Sequence, residues 1–171
     1  MHGIKINLNG VNVFMQINDI LFKIKTALSL SDEDVIKAYS LAEYEMKKER
    51  LDSILKRRQD KDYAEANFEE LGIFLDGLVL LKRGPSDKVA NEEEVIALSN
   101  NLIMKKLRVA LELKEAELII IFALAEINLS KRQIGSLFRK EGTKNFKEAS
   151  DELLMAFIEG LDEFYYDGEE I

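Results

Sequence analysis

The chain has 171 residues, with 32 acidic side chains against 24 Lys and Arg, and a net charge of −8. This excess of acid argues against a surface that coats nucleic acid or anionic membrane all over. With no cysteine and one histidine, His2 beside the initiator methionine, the chain lacks disulfides, thiolate metal sites and a Ser–His or Cys–His catalytic pair.

The first fifteen residues alternate polar with apolar, unlike the continuous apolar core of a signal peptide. Ile4, Ile6 and Leu8 precede Asn9-Gly10, and Val11, Val13 and Met15 follow it. Asn-Gly between two alternating runs predicts a type I′ hairpin that places Leu8 opposite Val11 and Ile6 opposite Val13. The alternative is a leader of residues 1–15 preceding a domain that starts near Met15.

Residues 16–84 form a first helical repeat. Ile20, Leu21, Ile24 and Leu28 recur at helical spacing and predict an amphipathic helix over 18–30. Ser31 with Asp34 reads as the cap pair of a second helix through Ala42. A third is expected over 48–58, burying Leu51, Ile54 and Leu55. A fourth is expected over 68–82, with Leu71, Phe74, Leu75, Leu78 and Leu81 on its apolar stripe. Gly84-Pro85 ends it, because proline lacks the backbone donor and disfavours helix in the residue before it. Residues 85–99 read as a linker, with Asn91-Glu92-Glu93-Glu94 as a short helix start.

Residues 100–168 repeat the first pattern, and 169–171 are an acidic tail. Asn18–Leu78 overlays Asn101–Leu161 at a constant offset of 83, with roughly a third of the paired positions identical. Ala27-Leu28 falls on Ala110-Leu111, Leu41-Ala42-Glu43 on Leu124-Ala125-Glu126, and Gly77-Leu78 on Gly160-Leu161. The fold class is therefore all-α, a tandem duplication of a four-helix repeat with an N-terminal hairpin. In the second copy Ser130 and Gln133 form a capping box, with Leu129 and Ile134 at the staple positions. In the first copy Lys47 stands in place of the capping serine, so its third helix should begin less sharply.

No motif carries a chemical mechanism, and the sequence argues against an enzyme and against a bound cofactor or metal. Asp60 with Asp62, and Glu92 to Glu94, lack the spacing of a cation loop and read as solvated surface. Gly77 and Gly160 each follow an acidic residue in their fourth helices. Such glycines mark either the close approach of a neighbouring helix or, at Asp76-Gly77, a ligand notch.

The stretch from Ala123 to Ile134 is helix-turn-helix-like, with Asn128 in the place that often holds glycine. Ser130 would cap a helix presenting Lys131, Arg132, Gln133 and Ser136, with Arg139 and Lys140 beyond. Lys47, Lys48, Arg57 and Arg58 are the matching set in the first copy. From Glu148 onward there are only acidic charges, which repel phosphate. The expected role is that of a cytoplasmic interaction or regulatory module with a protein partner and no membrane. Nucleic-acid binding through the basic helices is the alternative, and a homodimer through hairpin edges is compatible with both.

The duplicated pattern resembles the bacterial YehS-like proteins, a family of unknown function built from two copies of one helical domain. The resemblance rests on Asn18-Asp19-Ile20-Leu21, Ala27-Leu28-Ser29-Leu30, Phe74-Leu75-Asp76-Gly77-Leu78, Lys82-Arg83-Gly84, Lys105-Lys106-Leu107-Arg108-Val109-Ala110 and Lys144-Asn145-Phe146. It spans roughly residues 16–168 and implies the all-α duplicated fold without an activity. Asp76 departs from the asparagine expected there, and the hairpin lies outside the pattern.

Overall fold

A computed structural model describes residues 4–8, 11–85 and 98–166, with side chains from Gln16 onward. Two strands, β1 (Ile4–Leu8) and β2 (Val11–Met15), pair antiparallel with Leu8 opposite Val11 and Ile6 opposite Val13. Eight helices follow: α1 (Ile17–Ala27), α2 (Asp32–Leu41), α3 (Lys48–Leu55), α4 (Phe68–Arg83), α5 (Asn100–Leu111), α6 (Glu115–Leu124), α7 (Lys131–Leu137) and α8 (Asp151–Phe164). The start expected around Asn91, and the tail 169–171, lie outside the described residues.

The duplication governs the backbone in detail. Ile17 and Asn100, Asp32 and Glu115, Lys48 and Lys131, and Phe68 and Asp151 open equivalent helices 83 residues apart. Among the described residues, the non-glycine positions with positive φ fall into three pairs at the same offset: Ser29 with Glu112, Glu43 with Glu126, and Asp62 with Asn145. That conformation crowds Cβ against the backbone, so its recurrence in both copies shows that the turns are inherited with the helices.

Side chains at the N-termini hold most helix starts. Ser31 accepts from the Asp34 N–H at 3.1 Å while Asp34 accepts from the Ser31 N–H at 2.9 Å. Ser130 and Gln133 exchange the same pair of bonds, as do Asn67 and Glu70. Lys47, in the N-cap position of α3, makes no side-chain cap bond. The third helix of the first copy ends sooner than its sequence suggests: α3 stops at Leu55, and its C-cap Lys56 is extended.

The compact units do not follow the repeats. One unit comprises Met1–Leu30 with Leu113–Ile171, and the other Ser31–Glu112. Each unit takes three helices from one repeat and the first helix from the other. In the first unit α1 lies on α8, α6 packs on α8 and α7, and β1 lies beside α8. Its core holds Ile20, Leu21, Ile24, Leu118, Ile121, Phe122, Ile134, Leu154, Phe157 and Leu161. In the second unit α4 packs on α2 and α5. Its core holds Val35, Tyr39, Leu51, Ile54, Leu71, Phe74, Leu75, Leu78, Ile103, Met104 and Leu107.

Equivalent ring pairs anchor both cores, Tyr39 with Phe74 at 5.7 Å and Phe122 with Phe157 at 5.4 Å. Equivalent glycines permit equivalent helix contacts. A Cβ on Gly77 would fall 1.9 Å from the Ala38 carbonyl oxygen, and one on Gly160 2.0 Å from that of Ile121. Close helix approach therefore accounts for both glycines, and backbone fills the space where a notch at Asp76-Gly77 was considered.

Candidate interaction surfaces

The basic segment of the second repeat lies wholly in the first unit. Ile134 and Leu137 turn inward from α7, which leaves Lys131, Arg132 and Gln133 exposed on its first turn. Arg139 and Lys140 are exposed beyond the helix end. Lys131, Arg132, Arg139 and Lys140 form no ion pair with a described residue. Two other residues of the predicted set already serve the local fold. Gln133 accepts from the Ser130 N–H at 2.8 Å, and the Ser136 hydroxyl donates to the Arg132 carbonyl at 3.0 Å. Behind the cations the loop folds back, with the Lys147 N–H donating to the Ser136 carbonyl at 3.0 Å and Gly142 at positive φ.

The matching segment of the first repeat lies in the second unit and differs electrically. Lys48 binds Asp32 at 3.2 Å and also pairs with Asp52. These bonds, Asp52 first and then Asp32, hold its ammonium above the ordinary lysine value. Lys47, Arg57 and Arg58 are exposed without an ion pair to a described residue. Sequence counting assigns the two segments nearly equal positive charge, but folding draws α3 into ion pairs and leaves α7 unspent.

Arg50, partly exposed, is also held by a carboxylate. It grips the buried Glu70 carboxylate with both arms, Nε at 3.1 Å and Nη2 at 2.7 Å, and its Nη2 reaches the Glu65 carbonyl at 2.8 Å. The Tyr39 hydroxyl donates to the Glu70 carbonyl at 3.0 Å. Burial first, and the Glu70 charge second, push the Tyr39 phenol well above its ordinary value. The repeat equivalents of Tyr39, Arg50 and Glu70 are Phe122, Gln133 and Leu153, so this polar cluster belongs to one copy only. The signal in the sequence is the replacement of all three at the 83-residue offset.

The connection from α6 to α7 runs from Ala125 to Ser130. Six residues exceed the three or four of a helix-turn-helix turn. The left-handed residue is Glu126, with φ of 63°, and not Asn128 as expected. The Glu126 N–H donates to the Ala123 carbonyl at 2.9 Å, which makes this residue part of the exit turn of α6. Asp60, expected with Asp62 to be solvated surface, accepts from the Arg57 N–H at 3.1 Å in a surface turn.

A second surface feature of the first unit had no sequence signal. Between α1 and α8 runs an open groove of about 230 Å³, lined by Asp19, Phe22, Lys23, Thr26, Ile158, Glu159 and Asp162. Phe22 is 51% exposed in it. Asp19 is partly committed, accepting from the Gln16 N–H at 3.0 Å. Glu159 and Asp162 form no ion pair with a described residue. At the equivalent place in the second unit, Lys106 pairs with Asp76, and leucine and valine at 102 and 79 replace the carboxylates of Asp19 and Asp162.

The model for proteins of unknown function designated DUF1456 matches the chain twice, over residues 18–84 and 100–165. The chain belongs to that family. It is also similar to an uncharacterised protein of Escherichia coli (strain K12), YehS, with 29% identity over 144 residues, covering 84% of this chain and 92% of the relative. No solved structure matches it. Among the described residues, no helix is long and apolar enough to cross a membrane.

Proposed function

We propose that the protein is a non-enzymatic interaction module whose working surface is the basic segment of α7 and its following loop, and that this surface binds an acidic partner protein. The observation that carries the reading is the cluster of exposed cations on α7 and its following loop. Lys131, Arg132, Arg139 and Lys140 are all exposed without an ion pair to a described residue, whereas in the first repeat Lys48 and Arg50 are held by carboxylates of their own unit and Lys47, Arg57 and Arg58 stay exposed. Unpaired exposed cations retain their full attraction for an external anion and lose it with added salt.

Nucleic-acid binding is the second reading, favoured by the placement of Lys131 and Arg132 in the first turn of a serine-capped helix. The six-residue connection before that helix and the acidic run after Lys147 both weigh against it.

Fluorescence anisotropy with a labelled glutamate-rich peptide and with mixed DNA and RNA oligonucleotides separates the two. The proposal expects peptide binding that weakens with salt and is lost in K131E/R132E, with oligonucleotides binding less tightly. Tighter oligonucleotide binding lost in the same variant would transfer the surface to nucleic acid. Failure of every probe to bind at low salt would refute both. Substrate turnover abolished by changing a surface carboxylate would refute the non-enzymatic assignment.

A further inference from the structure

We infer that the α1/α8 groove of the first unit receives the basic α7 segment of a second copy of this chain. This inference rests on the preceding reading of α7 and names its acidic partner. The groove has the chemistry such a segment requires. Phe22 offers an exposed ring face, and Glu159 and Asp162 stand on the opposing helix as carboxylates without an ion pair to a described residue. A guanidinium laid over an aromatic face is attracted by the ring electrons, and its fork can engage a carboxylate at the same time. Arg132 and Arg139 are exposed and carry that group.

The comparison between copies strengthens the match. The equivalent place in the second unit has Lys105 for Phe22 and Val79 for Asp162, and its remaining acid, Asp76, is held by Lys106. An acidic groove with an exposed ring and a basic segment whose cations form no ion pair with a described residue thus occur together on the first unit, whereas the second unit keeps exposed cations at Lys47, Arg57 and Arg58 but lacks the groove's ring and free acids. The two surfaces differ, so the contact is head-to-tail. Both sides are exposed and screened by ions, so the association depends on salt.

Sedimentation of the full chain over a range of concentrations, from about 50 mM to about 500 mM salt, tests the inference. The expected result is assembly beyond the monomer at low salt that disperses at high salt. F22A should weaken it roughly ten-fold, and the charge reversals E159K/D162K or K131E/R132E should abolish it. Mixing the last two variants is the decisive arm, because the first keeps α7 intact and the second keeps the groove intact. Each should remain monomeric alone and the mixture should form a heterodimer, an outcome that damaged folding could not produce. A wild-type chain that stays monomeric throughout would overturn the inference, as would variants that fail to pair or assembly unchanged by F22A. A monomeric chain that still binds the acidic peptide through α7 would remove this inference and leave the proposed function standing.

Discussion

Gly77 of α4 lies so close to Ala38 of α2 that a Cβ on the glycine would fall 1.9 Å from the Ala38 carbonyl oxygen. That separation is far inside any tolerable contact, and the obstruction is backbone, which cannot swing aside. G77A should therefore destabilise the protein by about 3 kcal/mol, with the helices forced apart. Gly72, on the same helix, has nothing within 4 Å of where its Cβ would sit. G72A should instead stabilise by about 0.5 to 1 kcal/mol through its helix propensity. Urea unfolding monitored by circular dichroism measures both, and the opposite signs are the prediction.

The Tyr39–Glu70–Arg50 cluster yields a second prediction. Glu70 is 3% exposed, so R50A leaves a buried carboxylate supported by little beyond the Asn67 N–H. The loss of a charge-assisted pair from a site where Arg50 is partly exposed should cost about 2 kcal/mol. R50Q/E70L, which introduces the residues of the second repeat at these positions, should recover most of that loss by removing the buried charge together with its partner. A double variant weaker than R50A in urea would contradict this account.

The start of α3 is open to repair. Lys47 provides no cap, whereas its equivalent Ser130 does. K47S should raise stability by about 1 kcal/mol, and S130A should lower it by a similar amount. Both changes should appear as shifts of the urea midpoint.

The acid limb of stability has an identifiable contributor. The Ser31 backbone N–H first, and the Ser31 hydroxyl second, hold the Asp34 carboxyl below its ordinary value of 3.8. A depressed carboxylate contributes stability that is fully present above the unfolded value and is lost as pH falls through the folded one. The wild-type protein should therefore lose stability below about pH 4 more steeply than D34N does. Equal slopes from pH 5 to pH 2 would remove Asp34 from the explanation.

Much of the fold is legible in the sequence because helix signals are local. The 83-residue offset, the Ser31–Asp34 and Ser130–Gln133 caps and the apolar stripe of α4 are each contained within a few turns. The exchange of first helices is not local. Ile20, Leu21, Ile24 and Ala27 of α1 map onto Ile103, Met104, Leu107 and Ala110 of α5, and all eight are buried. The two helices offer nearly the same apolar stripe, so pattern alone cannot say which fourth helix each one covers.

The candidate surfaces divide in the same way. Sequence located the α7 cations, but it could not see that Lys48 and Arg50 would be taken up by carboxylates 16 and 20 residues away. The α1/α8 groove was invisible because it joins residues of the first helix to residues more than a hundred positions later.

The central structural claim is that neither repeat closes a unit by itself. Inserting a protease site between residues 86 and 97 of the full chain, cleaving it, and measuring mass in solution tests this most directly. The account predicts that the two fragments stay together at the mass of the intact chain and part only in denaturant, because each unit needs helices from both. Two fragments that separate under native conditions, each retaining its helical signal, would show that every repeat packs on itself and would contradict the exchange.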